Sequence, residues 1–343
     1  MEIIKHHCAD LFKCYSTTAM LIKGKWHYLF ATEDKGQCLD FSGDDFTQNG
    51  IVWDGPGGTM SIIPIPGKEN QFLAVQEFFP TFNAPGAKIV WGEYTASGWV
   101  IHPFIDLPYV HRFDLLQRDG ITYFVAGTLA TSKQDRDDWS DPGKIMVGVL
   151  PASWDQPMEL KSVKDHLTRH HGYSRGMWDH QPAGFFTADE GVFALIPPKK
   201  GQTDWRVDQL MSQRVSDIAV FDIDGDGIDE LITIEPFHGN AFVIRKQINH
   251  DYVEVYRYPN ELDFAHVVWG GKLNGIPTIL GGARRLNKEF FSIRYDADKG
   301  YTTTLLESGF GPSNIYVAAR EGGDHILLCN REHGEAAVLV TRD

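Results

Sequence analysis

Hydrophobic residues come in short runs along this chain, separated by charged or glycine-containing turns. Within many runs apolar and polar positions alternate, as in TAMLIKGKWHYLFA from Thr18 and NIYVAAREGGDHILLCN from Asn314. A period of two belongs to strands with a buried face. Seven stretches repeat one unit: a polar residue, an apolar alternation, a tight turn, a second apolar strand and a polar loop. They start at Thr18, Thr59, His111, His180, Asp217, His266 and Asn314, at intervals of 41, 52, 69, 37, 49 and 48 residues. Such intervals match the four-stranded blade of a β-propeller. The turns, among them Lys23-Gly24, Asp119-Gly120, Glu190-Gly191 and Asn274-Gly275, suit hairpins between the first two strands of each unit.

The last unit has room for three strands only, over 314–320, 325–330 and 336–341. Residues 2–5 are expected to supply its outermost strand, which would join both ends of the chain in one blade and remove an open edge. The segment MELKSVKDHLTRHHG, 158–172, has apolar residues at helical spacing and ends on Gly172. It predicts one helix, inserted between the third and fourth blades. The expected fold is all-β: a seven-bladed β-propeller over residues 1–343, one domain with one short helical insertion and an N-terminal strand closing the last blade.

Acidic residues outnumber basic ones, 46 to 32, for a net charge of −14. That balance disfavours nucleic acid and anionic membranes as partners. No apolar run approaches the length of a membrane span, and MEIIKHHCADLFK lacks the apolar region of a signal peptide. A cytoplasmic location is expected. Four cysteines without CxxC spacing read as free thiols. The oligomeric state is left open.

The sharpest local motif is the turn Asp222-Ile-Asp224-Gly-Asp226-Gly-Ile228-Asp-Glu230. Carboxylates stand at positions 1, 3, 5 and 9, and Ile228 can offer a backbone carbonyl. Hard oxygen ligands at this spacing suit Ca²⁺ or Mg²⁺. A solvated hairpin without an ion is the plainer alternative. The loop resembles the FG-GAP (VCBS-type) repeat, in which the same turn joins two strands of a propeller blade.

Three of the seven unit starts are histidines and one is aspartate: His111, His180, His266 and Asp217. In a propeller the innermost strands begin around the channel, so these side chains are expected to converge. Imidazoles plus one carboxylate suit a divalent transition metal, Zn, Mn or Fe, with Asp217 as fourth ligand or as the group that orients a ligand. A polar, water-filled channel is the plainer reading. Loops returning to the same face carry His171, His238 and His333 as acid or base candidates, and Arg285 and Lys35 as substrate-binding cations. For any one of them an exposed loop residue is the ordinary reading; their shared face raises the interest.

A metal pocket lined by histidines in an acidic protein suggests a small polar substrate. The metal would polarise a carbonyl while a histidine takes a neighbouring proton. This is β-elimination or enolisation of a sugar. No nucleophile elbow, Walker loop or dinucleotide fingerprint is present. The RHHG segment at 169–172, FDIDGDGIDELI at 221–232, the PFHG loop at 236–239 and the channel histidines together resemble the aldos-2-ulose dehydratase family and its FG-GAP relatives. The resemblance implies a metal in the propeller and a dehydratase acting on ketosugars such as 1,5-anhydrofructose. The competing reading is a non-catalytic propeller that binds carbohydrate or protein.

Overall fold

A computed structural model describes residues 2–80 and 83–342. The described residues form seven antiparallel sheets of four strands each. The first strands of the blades are Cys14–Ile22, Ile62–Pro64, Val110–Arg118, Tyr173–Trp178, Asp217–Phe221, Asp263–Leu273 and Asn314–Ala318. They neighbour one another around a closed ring, so the architecture is a seven-bladed β-propeller. The last blade closes as the sequence predicts. Glu2–Asp10 pairs antiparallel with Glu335–Arg342 and forms its outer edge.

Seven apolar clusters hold the ring, one between each pair of adjacent blades. Tyr28, Phe30, Leu327 and Val338 join the first blade to the last. Val125, Ile145, Phe186 and Leu195 join the third to the fourth. The middle strands are covered on both faces, which is why GVFALI at Gly191–Ile196 and HILLCN at His325–Asn330 are wholly buried. Each large side chain so buried contributes about 1.5–3 kcal/mol.

The expected helix is absent; no helix occurs among the described residues, and none is long and apolar enough to cross a membrane. Residues Lys161–Leu167 form instead the outer strand of the third blade, paired with Gly143–Val149. Two bulges interrupt that pairing, so the strand loses its strict period of two and imitates helical spacing. The fourth blade therefore begins at Tyr173. Its first strand, YSRGMW, is only partly buried, because Ser174 and Arg175 line the axial channel.

Candidate metal centre at the channel mouth

Four blades present one side chain each at the mouth by a common local device. Tyr15, His111, His171 and His266 each stand nine residues before the second residue of their blade's first turn, which is Gly24, Gly120, His180 and Gly275. All four turns have two successive residues at positive φ: Lys23-Gly24, Asp119-Gly120, Asp179-His180 and Asn274-Gly275. That is the type I′ geometry favoured in two-residue hairpins. In three of the strands the pairing register jumps at the residue in question: between Cys14 and Ser16, Val110 and Arg112, and Ala265 and Val267. A bulge leaves that residue out of the ladder and re-aims its side chain.

His171 arrives on the segment leading into the fourth blade. Gly172 behind it approaches the next blade so closely that a Cβ would lie 2.4 Å from the Asp217 Cα. His238 comes from the loop after the second strand of the fifth blade, Glu230–Glu235, where its backbone N–H donates to the Ser216 hydroxyl at 3.0 Å.

The ligand atoms of His171, His238 and His266 lie within 4.8 Å of one another. The Nε2 atoms of His171 and His238 are 3.1 Å apart, and the His111 ring centroid lies 4.4 Å from that of His171. Backbone carbonyls fix two tautomers. His111 Nδ1 meets the His171 carbonyl oxygen at 3.2 Å, and His266 Nδ1 meets the Ser313 carbonyl oxygen at 2.5 Å. A carbonyl only accepts, so both Nδ1 atoms carry the proton and both Nε2 atoms keep a lone pair. Tyr15 reaches His266 Nε2 with its hydroxyl at 3.3 Å. His171 Nδ1 is buried with no hydrogen-bond partner; the nearest carboxylate oxygen, on Asp217, is 3.9 Å away.

Burial dominates the electrostatics. It pushes His111, His171 and His266 well below the usual imidazole range, and neighbouring cations add to it. Burial, then Arg284 and Arg285, takes His238 down to about 3. The same cause raises Asp217 to about 6, against the pull of Arg112. The imidazoles are thus uncharged at neutral pH, the form that binds a metal.

Above them opens a cavity of about 510 Å³ walled by Phe78, Trp139, Phe237 and Phe264. Three converging imidazoles, one of them oriented by the carbonyl behind His266, suit a divalent transition metal. Zn or Fe meets this donor set, and Mn would need further oxygen ligands; His171, His238 and His266 would hold the ion.

The remaining expected residues divide. His266 stands in the three-histidine cluster; His111, expected as a ligand, lies beside that cluster with its ring 4.4 Å from that of His171. His171 and His238, expected as acid and base, stand in that cluster with His266. His180 does not join them. It occupies the glycine place of a type I′ turn, is exposed, and lines a separate groove with Trp178 and Arg206. Asp217 stands behind His171 and faces the channel below the mouth, a place suited to orienting rather than ligating. Arg285 lines the mouth, but Lys35 and His333 do not. Both are exposed on rim loops, His333 with its ring on Phe310 at 4.9 Å. Tyr15 is the site residue that the repeat reading missed. Counting back from the first turn would have found both it and His171.

The acidic turn lies at the opposite end of the fifth blade's first hairpin. Ligand atoms of Asp222, Asp224 and Asp226 lie within 4.8 Å of one another. The N–H groups of Gly225 and Gly227 donate to Asp222, and that of Ile228 donates to Asp226 at 2.9 Å. Ile228 itself is exposed. The Lys246 ammonium contacts Asp224 and stands 2.7 Å from Asp226 and 3.3 Å from Glu230. The carboxylates fit Ca²⁺ or Mg²⁺, but such an ion would compete with a cation that the chain itself supplies.

No protein-family model matches the chain, and no curated protein sequence matches it. Solved structures do. The β-propeller domain of Cps50 (Swd1) from Myceliophthora thermophila superimposes with a TM-score of 0.59 at 9% identity, over 99% of this chain and 100% of that one. A Bacteroides uniformis protein assigned as a 6-phosphogluconolactonase gives 0.55 at 10% identity, over 88% and 84% of the two chains. A Thermus thermophilus protein assigned as an oxidoreductase (glucose dehydrogenase) gives 0.50 at 12% identity, over 99% of each. At these identities the likeness is one of fold: the chain is a seven-bladed β-propeller whose distant neighbours include proteins assigned as an oxidoreductase and a lactonase.

Proposed function

We propose that the channel mouth is a metal-dependent active site that acts on a small carbohydrate by removing a proton beside a carbonyl, leading to β-elimination or enolisation. The carrying observation is the convergence of His171, His238 and His266 ligand atoms within 4.8 Å at a cavity large enough for one sugar. A bound divalent metal supplies Lewis acidity toward the carbonyl oxygen. His111 keeps a bare Nε2 and serves as the base. Tyr15, raised to about 12 by burial, remains protonated at neutral pH and can donate its proton to a departing hydroxyl. Phe78, Trp139, Phe237 and Phe264 limit access of water to the reacting carbons. The likeness to aldos-2-ulose dehydratases supports this reading, since its RHHG and PFHG segments supply two of the three imidazoles. In the acidic turn, Ca²⁺ or Mg²⁺ would be structural.

Deuterium incorporation tests the chemistry. Ketosugars incubated with metal-loaded protein in D₂O should exchange the hydrogen beside the carbonyl, or eliminate water, as read by NMR. Chelation should stop the reaction and His111→Gln should slow it by about 100-fold or more. Stoichiometric metal with no exchange on any ketosugar would overturn the catalytic reading.

A further inference from the structure

The chain is strongly acidic, yet the cavity over the histidines is cationic. Five arginines line it, against the carboxylates of Glu33, Asp137 and Glu332. Three of the arginines are already satisfied. Arg331 pairs with Glu33 and Glu332, Arg284 with Glu332 at 2.6 Å, and Arg169 with Asp189 at 2.5 Å. The side chains of Arg136 and Arg285 make no ion pair or hydrogen bond among the described residues. Among the described residues Asp137 is the lining carboxylate without an ion pair, so unpaired cations remain in excess.

Arg285 is held where an anion would meet it. Its guanidinium lies 4.6 Å from the Phe264 ring centroid, and that ring stacks on His238 at 4.2 Å. The unpaired charge thus stands one aromatic layer from the histidine cluster. Arg284 lies on the same Phe264 ring at 4.4 Å. Glu332 compensates Arg284, which leaves the Arg285 guanidinium on that ring as the charge an oxyanion would meet.

We propose that the mouth selects an acidic sugar, its carboxylate or phosphate held by Arg285 and Arg136 while its hydroxyl and carbonyl end reaches the histidines. This rests on the reading of the mouth as a sugar site and adds the charge of the substrate.

Three probes share one ring and differ at C6: D-glucose, D-glucuronate and D-glucose 6-phosphate. Their binding can be measured by calorimetry on the full chain, metal-loaded and after chelation. At least one acid should bind about tenfold or more tighter than glucose. Its affinity should fall as salt rises. The R136Q/R285Q variant, changed only at exposed side chains, should keep its melting temperature and lose most of the preference. A stronger response to glucuronate assigns a carboxylate, and to the phosphate a phosphoryl group. Equal binding of all three, no binding of any, or a preference unchanged in R136Q/R285Q would overturn the proposal. A charge preference without bound metal would leave it standing and remove the metal reading instead.

Discussion

Four imidazoles from three blades and one loop share the channel mouth, and burial keeps all of them uncharged. Their roles follow from what stands behind each ring. Carbonyls behind His111 and His266 leave a lone pair on each Nε2, the one on His266 met by the Tyr15 hydroxyl, whereas His180, in a solvent-facing turn, has no such setting. Alanine at His171 or His266 should therefore abolish bound metal, while alanine at His180 should leave it at the wild-type level, as read by elemental analysis. The same burial makes the metal-free protein sensitive to acid. Each buried histidine binds its proton less tightly folded than unfolded, so unfolding takes up protons below pH 6.5. Stability should fall as pH drops from 6.5 toward the depressed folded values, about 3 for His170 and His238. The slope should reach about 1.4 kcal/mol per pH unit for each histidine. Asp217 acts oppositely: raised to about 6 in the fold, it adds stability as pH falls from there to its unfolded value of 3.8. Urea unfolding of chelated protein at pH 7.5, 6 and 5 should show the net loss, and a flat profile would contradict the burial of these rings. At this scale the sequence reveals His111 and His266, because apolar alternation follows each directly. It conceals His171, because the strand after it is polar.

At the scale of elements, a turn and a bulge work together. The type I′ hairpin sets the register and the bulge nine residues earlier releases one side chain toward the axis. Glycine at the second turn residue makes three of these turns legible; histidine there hides the fourth and displaced the expected ligand by nine residues. The outer strand Lys161–Leu167 misled for a related reason, since its two bulges break the alternation that marks a strand. Gly172 is a tight joint between the fourth and fifth blades. An alanine there would press on Asp217 and Thr187, cost about 1–3 kcal/mol and weaken metal retention, measurable by urea denaturation and metal content. The acidic turn gives a separate test. Glu230 is fully buried beside Lys246. Lys246→Met should destabilise the fifth blade by roughly 2–4 kcal/mol. Added Ca²⁺ should then raise the variant's melting temperature more than the wild type's. Equal responses would show that the loop does not hold the ion.

For the whole molecule, the ring is closed by nine residues, Glu2–Asp10, along the edge of Glu335–Arg342. Removing them would leave a long buried strand as an open edge, and the truncated protein should melt at lower temperature and aggregate. This closure was readable in the sequence, because the last unit lacks a fourth strand. Of the mouth's arginines the sequence singled out Arg285 alone; Arg136, Arg284 and Arg331 come from three blades and meet only once the ring is formed. Everything proposed for function depends on that meeting of distant side chains. X-ray absorption on purified protein, after dialysis against trace metal, tests it most directly. The account predicts about one transition metal per chain, bound by three imidazole nitrogens, and its loss in His238→Ala with the fold intact. A folded wild-type protein that retains no transition metal, or holds one without imidazole ligands, would contradict it.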